Sequence, residues 1–271
     1  MDLTIFEKLY WLGTTSEKGE TPYVKYYAPF LYAVAGGTLM EMILQENISW
    51  KGKKELLGLI KNPPKDALLY AIWENCTIPK KVNWFWRSGK KQETAQTVAD
   101  WLGMAIDRKI KLISQIISSL EDKKMIITEK KKFLGIFTYK STHITSDQTR
   151  LNYQEKLQKI VSGEQEADLT DFIILKIASA CKLYCLVYGG QFSLHKISLQ
   201  EEIKKKLTLW AQQPSENEEI TNTLKKIHLE KDLEDLTDAL DTILDAIDGI
   251  ADAIGDAGDS SGGDGDGGGG D

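Results

Sequence analysis

Apolar residues recur every three or four positions over most of this chain, and that spacing predicts helices with one buried face. The predicted helices cover residues 3–12, 29–44, 67–75, 94–103, 106–120, 148–162, 172–188, 199–210 and 236–254. Pro29 suits the first turn of its helix, and the pair Gly36 and Gly37 lets a neighbouring helix approach closely. We therefore expect a mainly α fold, a single globular helical domain with residues 29–44 at its centre.

One stretch departs from the helical pattern and predicts a protruding β-hairpin. Residues 125–128 and 138–144 are rich in β-branched and aromatic side chains, and FLGIF at residues 133–137 places a glycine between them. The tip combines lysines with apolar residues, and its candidate membrane contacts are Lys130, Lys131, Lys132, Phe133, Leu134, Ile136 and Phe137. Such an exposed apolar patch needs a partner to cover it. From this stretch alone, folding of the apolar side chains into the core under a rim of solvated lysines is the alternative.

The C-terminal part of the chain has a different character. Isoleucines and leucines between residues 236 and 254 alternate four and three apart, opposite a row of aspartates, which is typical of a helical seam. Residues 256–271 are mostly Asp and Gly and predict a disordered tail. We thus expect a domain over residues 1–215, a linker with an acidic amphipathic helix over 216–255, and the tail over 256–271.

Charge is divided unevenly along the chain. Residues 230–271 carry a net charge of −13, whereas residues 1–229 carry +7. A basic body suits phosphate-bearing surfaces, whether lipid or nucleic acid. We expect the acidic helix to dock on this body or on a partner helix; the alternative is a marginal helix in a solubilising tail, because isolated helices of this length are barely stable in water.

The sequence contains no motif that indicates catalysis or metal binding. The three histidines (His143, His195 and His228) have no histidine or cysteine neighbours at metal-ligand spacing, and no nucleophile elbow, phosphate loop or dinucleotide fingerprint is present. We expect no enzyme activity, no cofactor and no metal. The odd number of cysteines indicates a reduced, cytoplasmic environment, and the first residues do not read as a secretory signal.

Four segments in order resemble the Golgi phosphoprotein 3 family. They are LTIFEKLYWLGTTSEKGE at 3–20, GGTLMEMILQENI at 36–48, LEDKKMIITEKKKFLGIF at 120–137 and FIILKIASACKLYCLVY at 172–188. The resemblance spans about residues 3–207 and implies a mainly α-helical single domain that binds membranes peripherally. In eukaryotic members it implies recognition of phosphatidylinositol 4-phosphate at the Golgi, insertion of an apolar hairpin, and retention of glycosyltransferases by their cytoplasmic tails.

The resemblance also implies a lipid pocket. The pocket's aromatic residue falls at Tyr26, but the arginines of the family fall at Ala35, Ile110 and Ile113, which are apolar here. Nearby cations supply substitute charge, so the candidate lipid-binding residues are Tyr26, Arg108, Lys109 and Lys111. We therefore expect weak selectivity among anionic headgroups.

Together these features predict a cytoplasmic, peripherally membrane-associated protein that binds anionic phospholipid, located at the Golgi if the chain is eukaryotic. An adaptor role toward cytoplasmic tails of membrane proteins, and self-association, stay open. A winged-helix-like nucleic-acid-binding protein is the alternative, because a basic helix followed by a lysine-rich hairpin also describes that module. The apolar tip suits hydrocarbon better than a nucleic-acid groove, so nucleic acid is the less favoured partner.

Overall fold

The computed structural model describes residues 3–14, 27–50, 55–58, 63–77, 96–107, 109–133, 137–189 and 241–247. Its helices are α1 (Ile5–Gly13), α2 (Tyr27–Leu44), α3 (Ala67–Thr77), α4 (Val98–Asp107), α5 (Lys109–Asp122), α6 (Asp147–Ser162), α7 (Leu169–Ala180) and α8 (Cys185–Tyr188). Its strands are β1 (Ile48–Trp50), β2 (Glu55–Gly58), β3 (Gln96–Thr97), β4 (Ile126–Phe133) and β5 (Phe137–Ile144). Residues 241–247 are also helical and are called the tail helix below. The predicted mainly α fold with one long hairpin is confirmed.

Helix α1 begins at a reciprocal cap. The Glu7 backbone N–H donates to Thr4 Oγ1 at 3.4 Å, and the Thr4 backbone N–H donates to Glu7 Oε2 at 2.9 Å. This capping box satisfies N–H groups that have no partner inside the helix. The Ile5 N–H donates to Glu41 Oε2 at 2.9 Å, so the start of α1 is tied to the last turns of α2.

The central helix α2 packs against two different partners through its adjacent glycines. A Cβ atom built on Gly37 would lie 2.6 Å from Leu9 Cδ1 of α1. A Cβ atom built on Gly36 would lie 2.9 Å from Ile247 Cδ1 of the tail helix. Both distances are shorter than carbon atoms tolerate, so both helices approach α2 as closely as a bare backbone allows. This confirms the close packing predicted for the two glycines.

A small antiparallel sheet in the order β1-β2-β3 was not predicted. Ile48 pairs with Gly58, and Glu55 pairs with Thr97 across a long interval of sequence. The predicted helix over residues 94–103 therefore begins later, at Val98. Thr97 forms its cap, since the Asp100 N–H donates to Thr97 Oγ1 at 3.1 Å.

One predicted helix is interrupted within the described residues. The residues predicted as a helix over 106–120 fall in α4, described to Asp107, and in α5, described from Lys109, with residue 108 outside the described residues. The helix predicted over residues 172–188 is divided at Lys182, whose φ of 55° is left-handed. The Leu183 N–H donates to the Ala178 carbonyl at 2.8 Å, a six-to-one hydrogen bond that closes the end of α7 without a glycine.

The core contains residues from every helix whose side chains are described. Trp11, Trp101 and Phe6 are among its largest fully buried side chains, and Ile243 and Ile247 of the tail helix belong to it as well. None of the helices in the described ranges is long and apolar enough to cross a bilayer. The predicted helix over residues 199–210 and the predicted disordered tail lie outside the described residues, and the predicted domain division stays a prediction.

Candidate membrane interface

The β4–β5 hairpin is fixed at its base. The turn that leads into β4 places Lys124 in a left-handed conformation with a φ of 57°. Thr145, just after β5, returns to this turn: its N–H donates to the Met125 carbonyl at 3.0 Å, and its hydroxyl lies 2.7 Å from the Lys124 carbonyl oxygen. The two ends of the hairpin are thus held together next to the end of α5.

Burial along the hairpin fades within a few residues of this base. Ile126 is 2% exposed and Thr142 is 4% exposed, so one face of the base packs on the body. On the opposite face Ile127 is 53% exposed, and farther out Glu129 and Lys130 are both exposed. Eight-residue strands extend about 27 Å, so Lys130, about halfway along β4, is already exposed.

The pairing register places Lys130 and Phe133 on opposite faces of the hairpin. Lys130 lies directly opposite Lys140, and these positions continue the face of Ile126. Phe133 lies directly opposite Phe137, and these positions continue the exposed face of Ile127. Like charges at directly opposite positions destabilise a strand pair unless an anion compensates them.

Lys140 is therefore a candidate that sequence reasoning missed. It stands apart from the lysine run at residues 130–132 in the sequence, and only the strand register brings it opposite Lys130. The register cannot be read from the sequence, because a shift of one residue would place Lys140 on the other face. Counting alternate residues outward along the strand from Thr142, once this residue is known to be buried, would have placed Lys140 on the same face.

A buried carboxylate joins the hairpin base to α1. Glu7 accepts hydrogen bonds from Lys123 Nζ at 2.7 Å and from Ser119 Oγ at 2.6 Å, both near the end of α5. Burial alone would raise the pKa of Glu7, but the hydrogen bonds from Lys123, Ser119 and Thr4 outweigh it and hold this pKa below its usual range. The last turn of α5 is thus locked to the first helix of the chain.

Some of the site residues predicted from the sequence lie in described helices and strands, and others lie outside the described residues. Lys109 and Lys111 lie in the first turn of α5, and Lys131, Lys132 and Phe133 lie in β4, with Phe137 at the start of β5. Tyr26, Arg108, Leu134 and Ile136 lie outside the described residues. Helix α5 is about 21 Å long, so its first-turn lysines are separated by its whole length from the hairpin base at its other end.

Two positions that match arginines in the resemblance hold residues that pack in or against the core here. Ala35 of α2 is fully buried, and Ile113 of α5 is half-buried against the core. An arginine at Ala35 would place a guanidinium inside the packed domain, where a buried charge without a partner is costly. Substitute cations would therefore have to come from neighbouring positions.

A second buried charge cluster joins α6 to α7. Asp171 is fully buried and accepts a hydrogen bond from Tyr153 Oη at 2.6 Å, and Lys156 Nζ lies 3.2 Å from Asp168. Burial raises the pKa of Asp171, and the nearby Asp168 charge adds to that rise against the effect of Lys156 and Tyr153. All of these contacts join α6 to the start of α7. We therefore interpret this cluster as structural. In the described part of the chain no group of acidic, histidine or cysteine side chains could hold a metal ion.

A family model described as Golgi phosphoprotein 3 (GPP34) matches residues 5–235. The chain belongs to the Golgi phosphoprotein 3 family. The family match includes every helix from α1 to α8 and the whole β4–β5 hairpin, and it ends before the tail helix. Among curated proteins, none matches this chain.

Proposed function

We propose that this member of the Golgi phosphoprotein 3 family is a non-enzymatic peripheral protein that binds anionic phospholipid membranes through its β4–β5 hairpin. The observation that carries the proposal is a hairpin that is anchored at its base and exposed at Ile127, Glu129 and Lys130, with Lys130 opposite Lys140 and Phe133 opposite Phe137. An anionic surface would relieve the repulsion between the paired lysine positions, and the bilayer interface would cover the aromatic ones.

The energies of such contacts are sufficient for reversible binding. Full burial of an aromatic or branched apolar side chain contributes ~1.5–3 kcal/mol, and interfacial insertion contributes roughly half of that. Each lysine close to an anionic leaflet adds about 1 kcal/mol at moderate salt. The apolar tip and three or four lysines therefore hold the protein on a membrane without a specific headgroup.

Family membership supports phosphatidylinositol 4-phosphate as the lipid, the cytoplasmic face of the Golgi as the location in a eukaryotic cell, and cytoplasmic tails of membrane proteins as cargo. We propose Tyr26, Arg108, Lys109 and Lys111 as the residues nearest the headgroup. The buried Ala35 and half-buried Ile113 support only weak headgroup selectivity, because neither position contributes a cation. Anionic phospholipid in general is thus the proposed ligand.

The test is cosedimentation with phosphatidylserine vesicles. We expect the double variant Phe133→Ser, Phe137→Ser to lose most of its binding while it keeps the far-ultraviolet circular dichroism of the parent. A matched control, Tyr70→Ser with Leu151→Ser, removes two exposed apolar side chains elsewhere, on α3 and α6, and should bind normally. Unchanged binding by a folded tip variant would rule out the hairpin as the anchor, and tighter binding to duplex DNA than to vesicles of equal charge would favour the nucleic-acid alternative.

A further inference from the structure

The tail helix packs on the body although it lies beyond the family match. Ile243 and Ile247 are both fully buried, and theirs are the side chains that a Cβ atom on Gly36 of α2 would meet. Asp241 and Asp245 are exposed on the same helix. The tail helix therefore contacts α2 through its isoleucines and leaves its aspartates on the outer side.

An ion pair adds a polar contact to this apolar one. Asp241 Oδ1 lies 3.0 Å from Lys176 Nζ of α7, and the Lys176 side chain is only 13% exposed. Placing a like charge opposite this partly desolvated lysine would be costly, because the pair would then repel. Gly36 and Lys176, called the docking surface below, thus accept a helix with two isoleucines four residues apart and an aspartate two residues before the first.

The connection between the body and the tail helix is long. Residues 190–240, which are 51 residues, separate the end of α8 from the tail helix and lie outside the described residues. A chain of this length spans up to ~170 Å, whereas the central helix α2 is only about 27 Å long. The length of the connection therefore lets the tail helix reach the docking surface of its own body or that of another copy.

A tail helix from another copy would keep every described contact. The ion pair between Asp241 and Lys176 and the burial of Ile243 and Ile247 do not depend on which copy supplies the helix. A long connection lowers the effective concentration of the chain's own tail helix, which falls roughly as the −3/2 power of linker length. A reciprocal exchange gives each copy one tail helix and leaves no docking surface empty, so it closes with twofold symmetry.

We infer that this chain forms twofold dimers in which the tail helix of each copy packs on the docking surface of the other. The partner that the docking surface fits is therefore a second copy of this chain. Exchange competes with docking of the chain's own tail helix, so the dimer fraction should rise with protein concentration. The inference is independent of the proposed membrane binding, and its tests contain no membrane.

The main test exchanges the charges of the ion pair between copies. Lys176→Asp and Asp241→Lys each place like charges at the docking surface, and we expect each variant alone to dissociate at concentrations where sedimentation velocity shows the parent to be dimeric. In an equimolar mixture the body of each variant is complementary to the tail helix of the other, so exchange restores both ion pairs. The mixture should associate at least about tenfold more tightly than either variant alone, which is about 1.4 kcal/mol.

The double variant Lys176→Asp, Asp241→Lys is the matched control, because it restores the pair within one chain and should associate like the parent. A mixture that stays as monomeric as its components, although both variants keep the parental circular dichroism, would overturn the inference. A parent that is monomeric at about 1 mM would overturn it too, since the effective concentration of a helix on so long a connection should lie below that value.

A second mixture tests the apolar contact and does not depend on the folding of the charge variants. Ile243→Ser with Ile247→Ser disables the tail helix but leaves the docking surface open, whereas Gly36→Leu blocks the docking surface and leaves the tail helix intact. Neither protein should self-associate, and their mixture should form a heterodimer held by one tail helix. Leu151→Ser, on the surface of α6, should remain dimeric. Two folded partners that do not associate would contradict the exchange.

Zero-length carbodiimide cross-linking of a mixture of isotope-labelled and unlabelled parent identifies the occupant of the docking surface directly. Exchange predicts cross-links between Asp241 and Lys176 that join a labelled peptide to an unlabelled one. Cross-links confined to peptides of equal label would show that each copy keeps its own tail helix, and the inference would then be wrong.

Discussion

Gly36 and Ile247 stand 211 positions apart in the sequence, yet a Cβ atom on Gly36 would lie 2.9 Å from Ile247 Cδ1. The adjacent Gly37 makes an equally close approach to a different helix, at Leu9 of α1. Helix α2 is therefore enclosed by an early segment of the chain on one side and a late segment on the other. An added methyl group would meet different neighbours at the two glycines, so the cost of adding it should differ.

Alanine at the two glycines should have unequal effects on stability. Gly37→Ala would press on Leu9 and on the Phe6 backbone, and we expect it to lower the free energy of unfolding by about 1–3 kcal/mol. Gly36→Ala meets only the ends of two isoleucine side chains, and the better helix propensity of Ala offsets part of that cost, so we expect a change within about 1 kcal/mol. Urea unfolding of both variants makes the comparison.

Removing the tail helix should make Gly36→Ala more favourable to stability. In a chain truncated after residue 240 the isoleucine contacts are absent, and Gly36→Ala should stabilise by up to about 1 kcal/mol. The effect of Gly37→Ala should be unaltered there. A destabilising Gly36→Ala in the truncated chain would mean that another group occupies this face of α2.

Glu7 should give the fold a specific dependence on acid. Its pKa in the folded chain is lowered below the usual 4.5, so its stabilising contribution is fully present above that pH and is lost as the pH falls through the folded value. Glu7→Gln should cost about 1–3 kcal/mol at pH 7, because Lys123 loses its charged partner. The cost should shrink as the pH is lowered below 4.5.

Thermal or urea unfolding from pH 3 to pH 7 measures this dependence. Glu121→Gln, at an exposed carboxylate on the same helix as Ser119, is the control and should be nearly neutral throughout. A Glu7→Gln penalty that stays constant across this range would contradict the assignment of Glu7 as a charged, hydrogen-bonded group.

Lys140 should matter to vesicle binding as much as Lys130 does. Each of the variants Lys130→Gln and Lys140→Gln removes one cation from the same face of the hairpin, and we expect each to weaken binding by about fivefold, or about 1 kcal/mol. Either variant also removes a like-charge pair, so the stability of the fold should not fall. Lys65→Gln, at an exposed lysine just before α3, is the matched control.

Headgroup selectivity should be weak. With Ala35 buried in the core and Ile113 packed against it, we expect less than about threefold difference between phosphatidylserine and phosphatidylinositol 4-phosphate vesicles of matched charge. Flotation or surface plasmon resonance on such vesicles makes the comparison. A preference above about tenfold for the phosphoinositide would show that Tyr26, Arg108, Lys109 and Lys111 rebuild a specific pocket.

The sequence predicts those elements whose patterns are long and local. The helices around Leu9, Leu39 and Leu157 follow from helical spacing, and the hairpin follows from two β-prone runs around a glycine. The interruption at Lys182 carries neither Gly nor Pro, so no local signal marks it. The β1-β2-β3 sheet escapes prediction because its strands are two to four residues long and one pairing joins Glu55 to the distant Thr97.

The candidate site is predictable to a similar extent. The exposed Lys130 and the base of the hairpin agree with the sequence pattern, whereas the Lys140 partnership depends on a strand register that only three-dimensional pairing defines. The isoleucine seam of the tail helix is visible in the sequence. The contacts of this helix with Gly36 and Lys176 cannot be predicted from the sequence. A row of isoleucines fits any apolar groove, and the groove that it contacts depends on the tertiary fold.

The enclosure of α2 by the tail helix also has a consequence for biosynthesis. Ile243 is synthesised 207 residues after Gly36, which takes about 10–40 s at ~5–20 residues per second. During that interval residues 241–247 cannot cover Gly36, so this part of α2 is available to chaperones or to other nascent chains. Folding of this domain therefore finishes only after residues 241–247 leave the ribosome, whatever the speed at which α1 and α2 pair.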